Sequence, residues 1–197
     1  QLENAGIDKN TIITAGEEQT ELIRSQIKNA RIAVEPMRRD TFGAVILSCA
    51  YLSGHGGASE DDYVTIMPVD PYTEGAYFET VKQLEAVMNA SDAEVGLMGA
   101  APSYPATKYG YILPGEKKEN YFEVKGFSEK PTEEKAEQLF EQGALWNCGV
   151  FCVKIGEMLN PGGRRPASAH GTATQNPGVA GSLNRAQMAY SRPSSGS

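Results

Sequence analysis

The sequence predicts an α/β fold with a parallel or mixed sheet, and three observations predict it. Apolar or β-branched runs of strand length alternate with runs of helix length from about residue 10 to residue 155. Glycine or proline punctuates many of the junctions. No internal repeat is visible, so a single sheet with crossover helices accounts for the alternation. In such sheets ligands bind beyond the carboxyl ends of the strands.

The elements follow in order. NTIITA (10–15) carries the β-branched run of a strand, and residues 17–28 follow as a helix with Leu22, Ile23 and Ile27 on one face. ARIAVEP is a second strand, stopped by Pro36. Residues 41–52, TFGAVILSCAYL, are nearly all apolar, as in a helix packed tightly on a sheet, with Asp40 or Thr41 able to cap it. YVTIMPVD (63–70) is a third strand with Asp70 at its end. Residues 76–90 form a helix with Val81, Leu84, Val87 and Met88 at helical spacing. EVGLMGAAP is the fourth strand. A polar hairpin-like stretch follows, then a strand ending in GFSEKP, a helix over 132–142 closed by Gly143, and a strand at WNCGVFCVKI.

Composition divides the chain into 1–160 and 161–197. The chain has 197 residues, 40% hydrophobic, with a net charge of −7, enough for one domain with a core. The acidic balance disfavours nucleic acid and anionic membrane as partners, and no apolar stretch approaches a membrane span. The first ten residues lack the basic and apolar regions of a signal peptide, which suits a cytoplasmic protein. Residues 161–197 contain four arginines but no Asp, Glu or Lys, and 22 of those 37 are Gly, Pro, Ser or Ala. Such a segment reads as a disordered, low-complexity tail, and its abrupt loss of acidic residues suits a fusion scar or shifted reading frame. The cysteines are three, an odd number in apolar surroundings, and Cys148 and Cys152 have no histidine nearby, so reduced thiols are expected rather than zinc or disulfides.

Four stretches carry candidate chemistry. EPMRRDT (35–41) sets arginines before a helix start, an anion site or an ordinary capped loop. In MPVDPY (67–72), Asp70 is either a turn former or a metal ligand. Gly110 of KYGYI admits close approach to the backbone or marks a bulge. FSEKP and LWNCGVF set Glu129, Lys130 and Asn147 among apolar strand residues, as a buried structural pair or as ligand-binding groups.

Their order and spacing, EP-x-x-R-D-T, P-x-D, Y-G-Y-I, S-E-K-P and W-N-x-G-V-F, resemble the sugar-phosphate nucleotidyltransferases, most closely the mannose-1-phosphate guanylyltransferases. The resemblance covers residues 1 to about 158. It implies a Rossmann-like nucleotidyltransferase sheet, mixed and mostly parallel, with flanking helices. It implies transfer of a nucleotidyl group from a nucleoside triphosphate, GTP, to a sugar 1-phosphate, mannose 1-phosphate, giving GDP-mannose and pyrophosphate with Mg²⁺ as cofactor. By the same resemblance, Arg39, Asp40, Thr41 and Gly43 would meet the nucleotide, and Asp70 would bind Mg²⁺. Gly110 would present backbone to the sugar, Glu129 and Asn147 would bond its hydroxyls, and Lys130 would neutralise its phosphate. Asp70 and Lys130 are then the catalytic pair.

The chain also departs from that pattern. The glycine-rich G-G-x-G-x-R-L loop that opens the family is missing, as is the later I-D-x-x-[VL]-[ML]-E stretch. The sheet implied is therefore incomplete, because the absent first strand is central and its neighbours' edges would be exposed. An internal fragment of this kind is expected to be marginally folded and inactive. MPVDPY carries proline and tyrosine where many guanylyltransferases have histidine after the aspartate, which leaves another hexose phosphate or nucleotide open. A non-catalytic sugar-nucleotide-binding module is the alternative from a different class. The pattern is compatible with a homo-oligomer.

Overall fold

A computed structural model describes residues 2–37, 40–73, 75–160 and 186–191. The chain folds as two compact units. The first takes Gln1–Val64 with Lys154–Gly163, and the second takes Thr65–Val153 with Arg164–Ser197.

In the first unit, a short helix α1 (Leu2–Ala5) precedes β1 (Ile13–Gly16) and α2 (Glu17–Gln26). The strand β2 (Ile32–Glu35) then returns parallel to β1, in the register Ile13↔Ile32 to Gly16↔Glu35. Helix α3 (Asp40–Gly54) buries Val45, Ser48 and Cys49, a stripe at helical spacing. Ser48 Oγ donates to the Ala44 carbonyl at 2.7 Å. Its oxygen therefore accepts from Thr14 Oγ1 at 2.7 Å, which ties helix to strand. Helix α6 (Ile155–Leu159) packs on α3, and the Ile155 and Gly156 amides donate to Asp62 and Glu60 carbonyls at 3.0 and 2.8 Å.

The larger sheet has the order β3-β7-β4-β8-β6-β5, formed by β3 (Tyr63–Ile66), β4 (Val95–Ala100), β5 (Tyr111–Lys117), β6 (Phe122–Ser128), β7 (Leu145–Lys154) and β8 (Ala186–Ser191). Helix α4 (Gly75–Asn89) lies against β4 and buries Phe78, Val81, Leu84, Val87 and Met88. Gly96 of β4 lets this helix sit close, because a Cβ there would stand 3.1 Å from Met88 Sδ and 3.4 Å from Leu84 Cδ2. Helix α5 (Glu133–Glu141) is capped by Thr132, whose side chain accepts from the Lys135 amide at 3.4 Å. Gly143, with φ +74, closes it in the left-handed conformation that such ends favour. Leu97, Ile112 and Leu145 form one buried cluster, and Tyr111, Ala136, Leu139 and Ala144 another.

The α/β class holds, and the elements fall close to where periodicity places them. Four details differ. Parallel pairing is confined to β1–β2 and β4–β8 among the pairings with assigned register. β5–β6, β4–β7, β5–β7 and β6–β8 are antiparallel, and β5 and β6 are joined by a short turn rather than a crossover helix. β3 stops at Ile66, not at Asp70: Pro68 lacks an amide donor and disturbs the residue before it. On α2 Leu22 is exposed and Thr20 is the buried residue, and Ile27, just past the helix end, is exposed as well. Finally, the stretch Ala186–Ser191, expected to be disordered, forms β8 between β4 and β6 in register with both. Its sequence, AQMAYS, is richer in hydrophobic residues than the Gly- and Pro-rich stretch before it, and it pairs with backbone on both sides. The rest of 161–197 lies outside the described residues.

Candidate functional site

The ends of three strands meet in the second unit. Tyr111 opens β5 and pairs antiparallel with Ser128, the last residue of β6, and with Trp146 near the start of β7. One step further along these registers, Gly110, Glu129 and Asn147 fall in a single row. Side chains alternate between the faces of a strand, so this row faces away from Tyr111 and Trp146.

The contacts agree with that register. The Asn147 amide donates to the Gly110 carbonyl at 2.8 Å. A Cβ on Gly110 would stand 2.5 Å from Glu129 Oε2, 3.0 Å from Phe127 Cζ and 3.4 Å from Asn147 Cβ. The space that glycine leaves open is therefore filled by the Glu129 carboxylate. Asn147 Oδ1 accepts from the Gly149 amide at 3.1 Å, which directs its NH₂ group, a two-proton donor, elsewhere. Gly149 has φ +69 and forms the centre of a bulge where β7 slips against β4 between Leu97 and Gly99. The bulge begins just after Asn147, and the Gly149 amide within it fixes the Asn147 side-chain oxygen.

Lys130 follows at once, with φ +42, a backbone conformation uncommon for a non-glycine residue. Its Nζ lies 3.7 Å from Glu129 Oε1, and both side chains are more than half exposed. The pair sits just past the end of β6 and is not the buried structural pair that the apolar flanks suggested. A carboxylate, an amide and an ammonium thus gather at one strand end, with acceptors and donors suited to hydroxyls and an anion.

Asp70 is exposed in the loop after β3. That loop passes close to the β7 bulge, since an added Cβ on Gly149 would stand 3.9 Å from Pro68 Cγ. Pro68, two residues before Asp70, therefore lies beside the bulge that follows Asn147. Asp40 and Thr41 open α3 and Gly43 lies within it, in the first unit, while Arg39 lies outside the described residues. Sequence reasoning missed Thr73 and Tyr77, whose hydroxyls are buried without a hydrogen-bond partner. Burial first, then the negative charge of the Cys148 and Asp70 groups, pushes the Tyr77 phenol up to about 12. The signal available was the TxxxY spacing flanking the start of an amphipathic helix.

No group of three or more His, Cys, Asp or Glu capable of holding a metal occurs among the described residues. Magnesium is commonly held by one or two carboxylates together with substrate phosphates and water, so a lone exposed Asp70 fits that mode and not an all-protein cage. No helix among the described residues is long and apolar enough to cross a membrane.

The nucleotidyl transferase family model matches residues 1–176, and the chain belongs to that family. A mannose-1-phosphate guanylyltransferase of Sinorhizobium fredii is 31% identical over 65% of this chain and 25% of its own length. Mannose-1-phosphate guanylyltransferase 2 of Escherichia coli O157:H7 is 26% identical over 81% of this chain and 36% of its own. The chain thus spans between a quarter and about a third of the length of these curated relatives. Among solved structures, a Thermus thermophilus protein described as a mannose-1-phosphate geranyltransferase superposes with a TM-score of 0.75. That match covers 97% of this chain and 62% of that one at 23% identity, and it shows the fold.

Proposed function

We propose that this chain carries the sugar-phosphate side of a nucleotidyl-transfer site, in a reaction that converts GTP and mannose 1-phosphate to GDP-mannose and pyrophosphate. The observation that carries the reading is the row Gly110–Glu129–Asn147 with Lys130 beside it. One end of the sheet offers a carboxylate acceptor and an amide donor for neighbouring hydroxyls, and a cation for a phosphate. The names of the relatives favour mannose 1-phosphate and GTP within that class.

In this reading a sugar-phosphate oxygen attacks the α-phosphorus of the triphosphate. A new phosphorus–oxygen bond forms as the bond to the departing pyrophosphate breaks, and pyrophosphate leaves with the electron pair. Glu129 and Asn147 fix the ring, and Lys130 holds the nucleophilic phosphate and offsets its charge, so the protein contributes positioning and electrostatics. Magnesium, when bound, supplies positive charge to the phosphoryl oxygens, and Asp70 is the carboxylate that would hold it. In the first unit Asp40, Thr41 and Gly43, with Arg39, are proposed to meet the nucleotide.

Calorimetric titration of the full chain with mannose 1-phosphate tests the site, with glucose 1-phosphate and galactose 1-phosphate for comparison. We expect binding that weakens at least tenfold in Glu129→Gln and Asn147→Ala. The absence of heat with all three sugar phosphates would refute the assignment. A pyrophosphate-release assay with GTP and Mg²⁺ separates the two roles open to the site. Release above a blank, lost in Asp70→Asn, assigns the full reaction to this chain, whereas binding without release assigns a sugar-nucleotide-binding role.

A further inference from the structure

Gly110 and Asn147 each stand one residue from an aromatic ring on the opposite face of the sheet. Tyr111 follows Gly110, Trp146 precedes Asn147, and the two aromatic residues pair across β5 and β7. Tyr111 is fully buried, in the cluster with Ala136, Leu139 and Ala144 against which Trp146 packs. Neighbours along a strand share a rigid peptide plane, so a shift of the rear residue carries the front one with it.

The segment that leads into Gly110 is tied down on this rear face. Residues 101–110 form no helix or strand, yet Ala106 is buried and its carbonyl accepts from Tyr111 Oη at 2.9 Å. The rings of Tyr104 and Tyr109 both close on Trp146, edge-on at 5.2 Å and tilted at 5.0 Å. Both tyrosines are about half exposed, at 53% and 45%, so burial alone accounts poorly for three rings gathered at one point. Trp146 Nε1 is shut off from solvent without a hydrogen-bond partner. Ring contacts, not a polar tie, therefore hold the indole in place.

We propose that Tyr104, Tyr109, Tyr111 and Trp146 are positioning residues of the sugar-phosphate site. They hold the end of the 101–110 segment against β7. The Asn147 amide then stays on the Gly110 carbonyl at 2.8 Å, and the Asn147 side chain keeps its spacing from the Glu129 carboxylate. The four act through Gly110 and Asn147 rather than on the ligand. This deepens the function proposed above and rests on it.

Variants of the full chain separate positioning from plain stability, read by calorimetry with mannose 1-phosphate and by urea unfolding. Tyr109→Ala opens the clamp and Tyr111→Phe releases the Ala106 carbonyl. The dissociation constant should rise about tenfold in the first and about fivefold in the second, since small misplacements of binding groups are costly. Tyr109→Phe keeps the ring and should retain the original affinity. Leu84→Ala hollows the core where α4 packs on Gly96, and it should lower the urea midpoint with affinity unchanged. Trp146 is the single tryptophan, so its emission reads the clamp itself. It should move to the red in Tyr109→Ala and hold still in Leu84→Ala. Affinity within about twofold of the unsubstituted chain in both Tyr109→Ala and Tyr111→Phe would overturn the inference and leave the proposed function standing. Equal weakening in Leu84→Ala would overturn it too, by tracing the loss to stability. If the unsubstituted chain binds none of the sugar phosphates, both fall together.

Discussion

At Gly110 one residue's missing side chain sets where the Glu129 carboxylate lies. The carboxylate sits in the room it leaves, and the nearest atom to an added Cβ would be Oε2 at 2.5 Å. Gly110→Ala should therefore push the Glu129 carboxylate aside and press on Phe127 Cζ, 3.0 Å away. We expect sugar-phosphate affinity to fall at least tenfold in calorimetry, and stability to fall by about 1–3 kcal/mol in urea unfolding, the usual cost of overpacking. An unchanged affinity would mean that Glu129 does not need that position. The sequence made glycine's value here visible but not its reason. Close approach of a ligand was the natural reading of a glycine between two tyrosines, whereas the close approach is by the Glu129 side chain directly across from it on the neighbouring strand. Thr73 and Tyr77 were missed for a related cause: the TxxxY spacing marks their positions, but a missing hydrogen bond is a property of packing and not of composition.

Among the elements, the helices were the most legible and the strand ends the least. The apolar spacing of Val81, Leu84, Val87 and Met88 names the buried face of α4 outright. Thr132 and Gly143 bracket α5 where a cap and a left-handed residue are expected. The end of β3 was misread because apolar residues continue past Ile66, and the effect of Pro68 on pairing outweighs them. β7 reads as one strand in sequence, yet it carries the bulge at Gly149, whose amide fixes the Asn147 side-chain oxygen. That bulge is the element to test. Gly149 occupies the left-handed region with open space around it, its nearest neighbour being Pro68 Cγ at 3.9 Å from an added Cβ. Gly149→Ala thus meets conformational strain without a clash, and we expect a loss of about 1–2 kcal/mol. In urea titrations the midpoint should fall with the slope unchanged. The Asn147-dependent part of sugar-phosphate binding should weaken as well, because the Gly149 amide positions the Asn147 side chain.

Across the whole molecule, the acid–base behaviour is set by buried neutral groups in both units. Cys49 in the first unit, and Cys148 and Cys152 in the second, are each pushed by burial from 9.0 up to about 11. Tyr77 is pushed from 10.0 to about 12, chiefly by burial. A thiol or phenol is neutral while protonated, so a raised value means that the folded chain keeps a proton that the unfolded chain has released. Stability from the thiols is then fully present below about pH 9 and is lost as the pH climbs through about 11, with Tyr77 adding to the loss between about 10 and 12. Urea midpoints measured with a reductant at pH 8, 9, 10 and 11 should hold steady at first and then fall. Lysine deprotonation contributes near the top of that range, since Lys118 and Lys154 are raised by their carboxylate partners. The triple variant C49A/C148A/C152A isolates the thiol share: its midpoint is lower at pH 8 because of the cavities, but it should decline less between pH 9 and 11 than that of the parent chain. Parallel decline of the two proteins would show that the thiols ionise in the folded state as readily as in the unfolded one, against their complete or near-complete enclosure at Cys49 and Cys152.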